Sequence, residues 1–344
     1  MSVQELFLVT GANGYIAAAL VRQLLQDGKR VRATVRRQQA GDDLRAALPA
    51  STVGKLELAI VPDIIAPNAF KEALQDVTHV FHMASPLPGE GKTDAKRDFL
   101  DPAKLGVLTL LQDSSVTPSV QKVVLTASVA SILDASRVDT GGSYTEKDWN
   151  PITYDYAIKL GAGLATGSTN PMIIYAASKT LAERAAWDFV REHKPSFAFA
   201  AVHPGFVVGR PVTGSISGSN GMLWQALTAR PVQESAQPMA LVDLEDAVRG
   251  HLQAMQRKEA DGGRFLLVAG QPLTHEAINW AKDRQPDLPF DRVDIPADAE
   301  ERKRKFTGYD NSASRDVLGI EYKGLEQTIG DYADWAAAAI KSKF

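Results

Sequence analysis

The sequence contains no cysteine among its 344 residues, which excludes disulfides, thiolate metal sites, iron–sulfur clusters and thiol nucleophiles together. Redox chemistry therefore leaves the compartment open. The chain also opens without a long apolar run: the first, Leu6 to Val9, stops at Thr10-Gly11 and is too short for a signal-peptide core or a membrane span. An excess of one charge is missing too. The 38 basic residues stand against 41 acidic ones, a formal net charge of −3, so no basic face that would attract nucleic acid or an anionic membrane is implied. Neither an internal repeat nor a low-complexity segment occurs. With 44% apolar and 23% charged residues, the composition is that of an ordinary globular protein, long enough for one large α/β unit or two lobes. The expectation is a cytoplasmic protein, monomer or homodimer, whose partners are small molecules.

The most informative stretch is LFLVTGANGYIA, Leu6 to Ala17. Its apolar run reads as a buried first strand. Gly11 and Gly14 then allow a tight turn and a close approach to a ligand, since neither carries a Cβ, and Ala17 is small enough for the next helix to lie against the strand. Such a turn aims free backbone N–H groups and the positive end of a helix dipole at one point, which suits a pyrophosphate. The spacing TGxxGxxA is one residue longer between its first glycines than the dinucleotide fingerprint.

Further strand-and-turn units follow in order. Strand two, Arg30 to Val35, ends in VRATVRR with no acid before Asp42. A carboxylate about 20 residues past the glycines suits the ribose of NAD, whereas arginine holds the 2′-phosphate of NADP. Arg32, Arg36 and Arg37 therefore favour NADP, the alternative being plain solvated charges. LELAIVPDII puts Asp63 where its carboxylate can accept from an adenine amino group. THVFHMASPLP gives a strand, Val80 to Met83, opening at Ala84-Ser85-Pro86; Val123 to Leu125 is the next, ending in Thr126-Ala127-Ser128. This strand–helix alternation predicts a doubly wound parallel sheet, with ligands at its carboxyl edge.

Ser128, at a strand end, is suited to donate to a substrate oxygen or simply to cap the following segment. Tyr154-Asp155-Tyr156 and the irregular Gly161 to Thr169 read as a loop over the site. Tyr175-Ala-Ala-Ser-Lys179 opens a long helix, and residues four apart share a face, so Tyr175 and Lys179 point the same way. Strand Phe197 to Val202 ends at His203-Pro204-Gly205; His203, with no partner set for a metal, reads as a structural hydrogen-bonder. Beyond it come a Ser/Gly-rich loop over 214–221, helices at Met222 to Leu227, Asp243 to Met255 and His275 to Trp280, a strand at Arg264 to Val268, a charged surface stretch at Glu300 to Lys305, and a last helix from Leu325 to Ile340.

The ordered set TGANGYIA, VRATVR, VPDI, FHMASP, VVLTAS, YAASK, HPGFVVG and LVDLEDAVRGHLQAM resembles an extended short-chain dehydrogenase/reductase. More narrowly it is similar to the fungal NADPH-dependent aldehyde and ketone reductases related to the dihydroflavonol and cinnamoyl-CoA reductases. The resemblance spans most of the chain. It implies a Rossmann domain over 1–205 with 240–270 returning to it, a substrate lobe from 206–239 and 271–344, NADPH as cofactor, and a catalytic set of Ser128, Tyr175 and Lys179. It further implies cofactor contacts at Gly11, Asn13, Gly14, Tyr15, Ile16, Arg36, Asp63, Ile64, Ala84, Ser85, Pro204 and Gly205, besides Tyr175 and Lys179. Two departures stand out. The family usually has two serines where this chain has Ala127-Ser128, and the second is the catalytic one. Dihydroflavonol reductases have a further lysine where this chain has Asp43, leaving Arg32, Arg37 or Arg45 as the second phosphate ligand.

The implied reaction is reduction of an aldehyde, ketone or keto ester. No side chain is a hydride donor, so NADPH supplies the hydride. A free tyrosine titrates near 10, and an ammonium about 4 Å away, at an effective dielectric of about 20, favours the phenolate by roughly 4 kcal/mol. Lys179 is thus expected to lower Tyr175, the general acid, while Ser128 donates to the same substrate oxygen. Pocket walls are sought at Leu87, Tyr154, Tyr156, Phe206, Met222 and Trp224. The alternatives are an NAD(P)-dependent epimerase or dehydratase on a nucleotide-sugar and a non-catalytic NADP-binding sensor.

Overall fold

The computed structural model describes residues 5–341 apart from 90, 215 and 233–237. Ser215 of the loop expected over 214–221, and the stretches 1–4, 233–237 and 342–344 of the expected lobes, lie outside the described residues.

Strands β1 (Leu6–Val9), β2 (Arg30–Val35), β3 (Leu56–Ile60), β4 (His79–His82) and β5 (Lys122–Thr126) come first. After a short β6 (Ser143–Tyr144) come β7 (Ala198–Pro204), β8 (Phe206–Val208), β9 (Leu241–Asp243), β10 (Arg264–Leu267) and β11 (Gly308–Tyr309). Seven of them form one sheet in the order β10-β7-β5-β4-β1-β2-β3, every pairing parallel. The chain winds outward from β1 through β2 to β3, then crosses back to β4 on the other side of β1. The direction therefore switches between β1 and β4, and the crevice above that switch is where open α/β sheets take ligands.

The strands are apolar on both faces because helices cover both. Phe7, Val9, Val31, Ala33 and Phe81 pack with α1 (Tyr15–Gln26) on one side. Leu6, Leu8, Val80, Val123 and Phe199 pack on the other against two further helices. A parallel sheet buried on both faces reads as continuous apolar runs, which is why the first strand is visible in the sequence. The crossover from β3 to β4 contains turns rather than a helix, anchored by buried Phe70 and Leu74.

The remaining helices are α2 (Gln38–Ala47), α3 (Asp101–Ser115), α4 (Tyr154–Gly161), α5 (Pro171–His193), α6 (Gly218–Thr228), α7 (Leu244–Gln256), α8 (Thr274–Arg284), α9 (Ala299–Lys305), α10 (Ser312–Asp316) and α11 (Leu325–Lys341). Helices α6, α8 and α11 share a separate core with Val208 and Leu241. The segment around Leu318 and Ile320, expected in the substrate lobe, packs instead with α1 and α7 on the large sheet, and β11 pairs with β6. Helix α6 starts inside the stretch expected to be loop: Ser219 Oγ donates to the Val207 carbonyl at 2.6 Å and Asn220 Nδ2 to that of Gly209 at 2.8 Å, tertiary bonds that override weak helix propensity.

Candidate active site

The turn after β1 is built by groups on three neighbouring strands. Gly11 has φ +62°, and a Cβ there would come within 2.9 Å of Ala84 Cα, so glycine is required both by conformation and by the closeness of the β4 end. Thr10 is the brace: its hydroxyl accepts from the N–H groups of Met83 and Ala84, each at 3.0 Å, and lies 3.0 Å from His82 Nδ1. On the β2 side the Gly11 N–H donates to Thr34 Oγ1 at 3.3 Å and the Ala12 N–H to the Thr34 carbonyl at 2.9 Å. The turn is thereby held open, with Asn13 and Gly14 exposed at the start of α1, whose first-turn N–H groups have no intrahelical acceptor. This is a cradle of the kind a pyrophosphate fills.

Tyr15 does something the sequence did not signal. Its hydroxyl donates to the Gly209 carbonyl at 2.7 Å and lies 3.4 Å from Asn220 Oδ1, so α1 is tied to the C-terminal core. Burial pushes this phenol above its ordinary range. Ile16 packs against the core of the large sheet.

Arg36 and Arg37 are exposed at the end of β2, and Arg45 is exposed on α2. Arg32 is a different case. Its guanidinium holds Glu57 on the adjacent strand (2.7 and 2.9 Å) and the carbonyls of Ala73 and Gln75, which removes it from the candidate phosphate ligands: a residue within β2 points along the sheet toward β3, not toward the carboxyl edge. Asp63 is exposed, and its Oδ1 accepts from the Ile65 N–H at 3.1 Å. Ile64 packs against Gly106 of α3.

Ser128 follows β5 and caps a single 3₁₀ turn, Val129–Ser131, its Oγ accepting from the Ala130 N–H at 3.1 Å. The capping role and the donor role are compatible, since a hydroxyl accepts and donates at once. Ser128 is also the side chain that acts on the Tyr175 phenol. Tyr175 lies in the second turn of α5 rather than at its start, because the helix begins at Pro171 behind an Asn170 cap whose Oδ1 accepts from the Met172 N–H at 2.9 Å. Burial raises the Tyr175 phenol, and Ser128 opposes that rise.

Lys179, one turn further along α5, is buried, and its Nζ donates to the Thr126 carbonyl at 2.8 Å. Burial lowers its pKa to about 8, with the Glu183 carboxylate acting in the opposite direction. The expectation that Lys179 pulls Tyr175 below 10 is not met. The ammonium is turned to the strand end, and desolvation of the phenol dominates.

A small cleft at the ends of β4 and β5 is lined by Ala84, Ser85, Thr126, Ala127, Lys179 and Glu183, among others; of the candidate residues it brings Ala84 and Ser85 to Lys179, while Ser128 and Tyr175 are not in its lining. Two histidines flank it. His82 and His251 are buried, and desolvation holds them at about 3 and about 4, with Lys179 adding to the effect. His251 bridges the Thr126 hydroxyl at 2.9 Å and the Ala247 carbonyl at 2.7 Å. His203 is buried, with Nε2 2.8 Å from Glu183 Oε1, the structural contact its surroundings in the sequence suggest. Pro204 closes β7. At Gly205 a Cβ would meet the Ala240 carbonyl oxygen at 2.1 Å, so glycine is demanded there by β9 packing.

The candidate pocket walls are not gathered together. Tyr154 is turned to Asp101, 3.1 Å away, within a core of its own; it and Tyr156 belong to α4, not to a loop. Leu87, Tyr156 and Met222 are exposed, while Phe206 and Trp224 pack into the C-terminal core, Trp224 edge-on to Phe290. A cavity of about 170 Å³ lies between α6, β9 and α8 and is lined by Leu223, Leu227, Met239 and Ala277, among others, but by none of Ser128, Tyr175 and Lys179. Among the described residues no cluster of His, Asp and Glu is arranged to hold a metal, and no helix is long and apolar enough to cross a membrane.

Comparison with known proteins agrees with this fold. Residues 7–269 match the model of the NAD dependent epimerase/dehydratase family. An uncharacterized oxidoreductase of Schizosaccharomyces pombe is 35% identical over 341 residues, 96% of each chain. A ketoreductase of Aspergillus niger is 32% identical over 346 residues, covering 96% of this chain and 97% of that one. Among solved structures, the yeast methylglyoxal/isovaleraldehyde reductase complexed with NADPH superposes with a TM-score of 0.87 at 27% identity, covering 98% of this chain and all of the other.

Proposed function

Because the chain belongs to the NAD dependent epimerase/dehydratase family, as an extended short-chain dehydrogenase/reductase, we propose that it reduces the carbonyl group of small aldehydes, ketones and keto esters with Tyr175 as the proton donor. It is an NADPH-dependent oxidoreductase, in keeping with its ketoreductase and methylglyoxal reductase relatives. The Gly11 turn fits a dinucleotide: the cradle can form because residue 11 has no Cβ to strike Ala84, and exposed Arg36 and Arg37 stand where strand two ends. NADPH, when bound, supplies the hydride.

The chain's own residues handle the proton and the growing charge. With its phenol held above the ordinary range, Tyr175 stays protonated through neutral pH and gives its proton to the carbonyl oxygen as that oxygen gains charge. Ser128 donates to the same oxygen and then to the phenolate left behind. Lys179, charged below about pH 8, supplies the positive charge of the site from one turn further along the helix, its ammonium held on the Thr126 carbonyl. The observation that carries this reading is the placement of Lys179 one turn beyond Tyr175 on α5, buried and held on the Thr126 carbonyl two residues before Ser128.

The test is NADPH oxidation by the purified protein with methylglyoxal, isovaleraldehyde and ethyl acetoacetate, with NADH run in parallel. One NADPH consumed per alcohol formed is the expected result. Conversion of a nucleotide-sugar without net change in the cofactor would instead identify an epimerase, and no turnover with any of these would leave only a cofactor-binding protein.

A further inference from the structure

Helix α5 carries a third polar residue on the face that bears Tyr175 and Lys179. Glu183 is four residues beyond Lys179 and fully buried. Its Oε2 lies 2.6 Å from Ser131 Oγ, and its Oε1 lies 2.8 Å from His203 Nε2, 2.7 Å from Arg264 Nε and 3.2 Å from Trp187 Nε1. Arg264 is itself anchored, stacked on Trp149 and donating to the Asp148 carbonyl. An ionised carboxylate is costly to bury unless it is paired and fully hydrogen-bonded, and this one has donors from three other segments besides Trp187 on its own helix.

Two of those donors, Ser131 and His203, sit on elements that frame the candidate site. Ser131 closes the turn that Ser128 caps; its N–H donates to the Ser128 carbonyl at 3.0 Å and its Oγ lies 2.8 Å from the same oxygen. His203 precedes Pro204-Gly205 at the end of β7. Lys179 adds the second link, from its Nζ to the Thr126 carbonyl, two residues before Ser128. The strand end bearing Ser128 is thus fastened to α5 on both sides.

We propose that Glu183 is a positioning residue for carbonyl reduction, its carboxylate holding the Ser128 turn in register with Tyr175 and keeping a negative charge beside Lys179. This rests on the reading given under Proposed function. The groups facing Lys179 are Tyr175 and Glu183 on its own helix, His82 on β4 and His251 on α7, and the two histidines are held neutral by burial. Glu183 is the anion that opposes desolvation of the ammonium. Glu183 itself, which burial alone would raise, is held at about 2 by His203 and Arg264, so it stays charged across the working range.

The experiment compares wild type, Glu183→Gln, Glu183→Asp and Ser131→Ala, using NADPH oxidation with methylglyoxal from pH 5.5 to 9.5, NADPH affinity by fluorescence, and hydrogen exchange of residues 128–133 without cofactor. For Glu183→Gln the expected result is at least a tenfold loss of kcat, NADPH affinity within threefold of wild type, an alkaline limb shifted to lower pH by half a unit or more, and faster exchange at Ser131 and Ile132. Glu183→Asp, which keeps the charge, should retain the wild-type limb. Ser131→Ala cuts one tether without disturbing Arg264 or His203, and should lose several-fold in kcat and speed the same exchange while leaving the limb in place; it carries the test if Glu183→Gln fails to fold. Wild-type kcat and limb in Glu183→Gln, or a loss of kcat with an unmoved limb, would overturn the proposal while leaving the reductase reading intact, as would wild-type kcat and exchange in Ser131→Ala. A wild type that oxidises no NADPH with methylglyoxal, isovaleraldehyde or ethyl acetoacetate would remove that reading and the proposal with it.

Discussion

Lys179 on α5 donates at 2.8 Å to the carbonyl of Thr126 at the end of β5, so the ammonium beside Tyr175 is fixed by the strand that leads into Ser128. Burial brings its pKa to about 8, whereas the Tyr175 phenol is raised. The lysine therefore titrates first as pH rises. The plot of kcat/KM against pH should be flat through neutrality and fall above about pH 8; a limb beginning only above pH 10 would assign it to the phenol instead.

Arg36 is one of two exposed arginines at the strand-two end, and its removal should discriminate between cofactors. A hydrogen bond to a charged group is worth about 1.5–3 kcal/mol, so Arg36→Ala should raise the KM for NADPH by about ten- to a hundredfold and leave that for NADH nearly unchanged. Equal losses with both would show that the arginine does not meet the 2′-phosphate. Arg32→Ala should behave differently, costing stability through Glu57 rather than cofactor preference.

Gly11→Ala combines a left-handed backbone, φ +62°, with a contact of 2.9 Å to a Cα atom that cannot swing aside. The conformation alone costs about 1–2 kcal/mol. The variant should melt several degrees lower and bind NADPH weakly in titration. Wild-type melting and binding would mean that the turn relaxes freely.

Two buried imidazoles make stability depend on pH in a definite direction. His82 and His251 titrate at about 3 and about 4 in the folded chain, against about 6.5 in an unfolded one. Between those values the unfolded state binds more protons, so their contribution is complete above about pH 6.5 and is lost as pH falls toward 4 and then 3, at about 1.4 kcal/mol per pH unit for each. Urea unfolding at pH 7.0 and 5.5 should show a clearly lower midpoint at the acid value. An unchanged midpoint would mean that the rings are hydrated.

The parts of this molecule legible in the sequence are local ones. Gly11, Ser128 and the Tyr175–Lys179 spacing announce themselves because a strand must end before a turn and a helix repeats every 3.6 residues. What escaped depends on register between distant strands. Arg32 looks like a phosphate ligand until β3 brings Glu57 beside it. Thr10 and Thr34 carry no pattern, yet they hold the Gly11 turn. Glu183 lay within reach of the same four-residue spacing that joins Tyr175 to Lys179, but a glutamate in a helix ordinarily faces water, and its partner Arg264 lies 81 residues away. Tyr154 reads as loop because the Gly-rich stretch beside it hides helix α4, on which its hydroxyl meets Asp101.

The most direct test of the account is single-turnover reduction of methylglyoxal by Tyr175→Phe, with NADPH affinity measured on the same protein. Losing a general acid costs about a hundred- to ten-thousandfold in rate, and the aromatic ring is retained, so the account predicts a loss of that size with cofactor affinity within about threefold of wild type. A Tyr175→Phe protein that still reduces methylglyoxal within tenfold of the wild-type rate would contradict it.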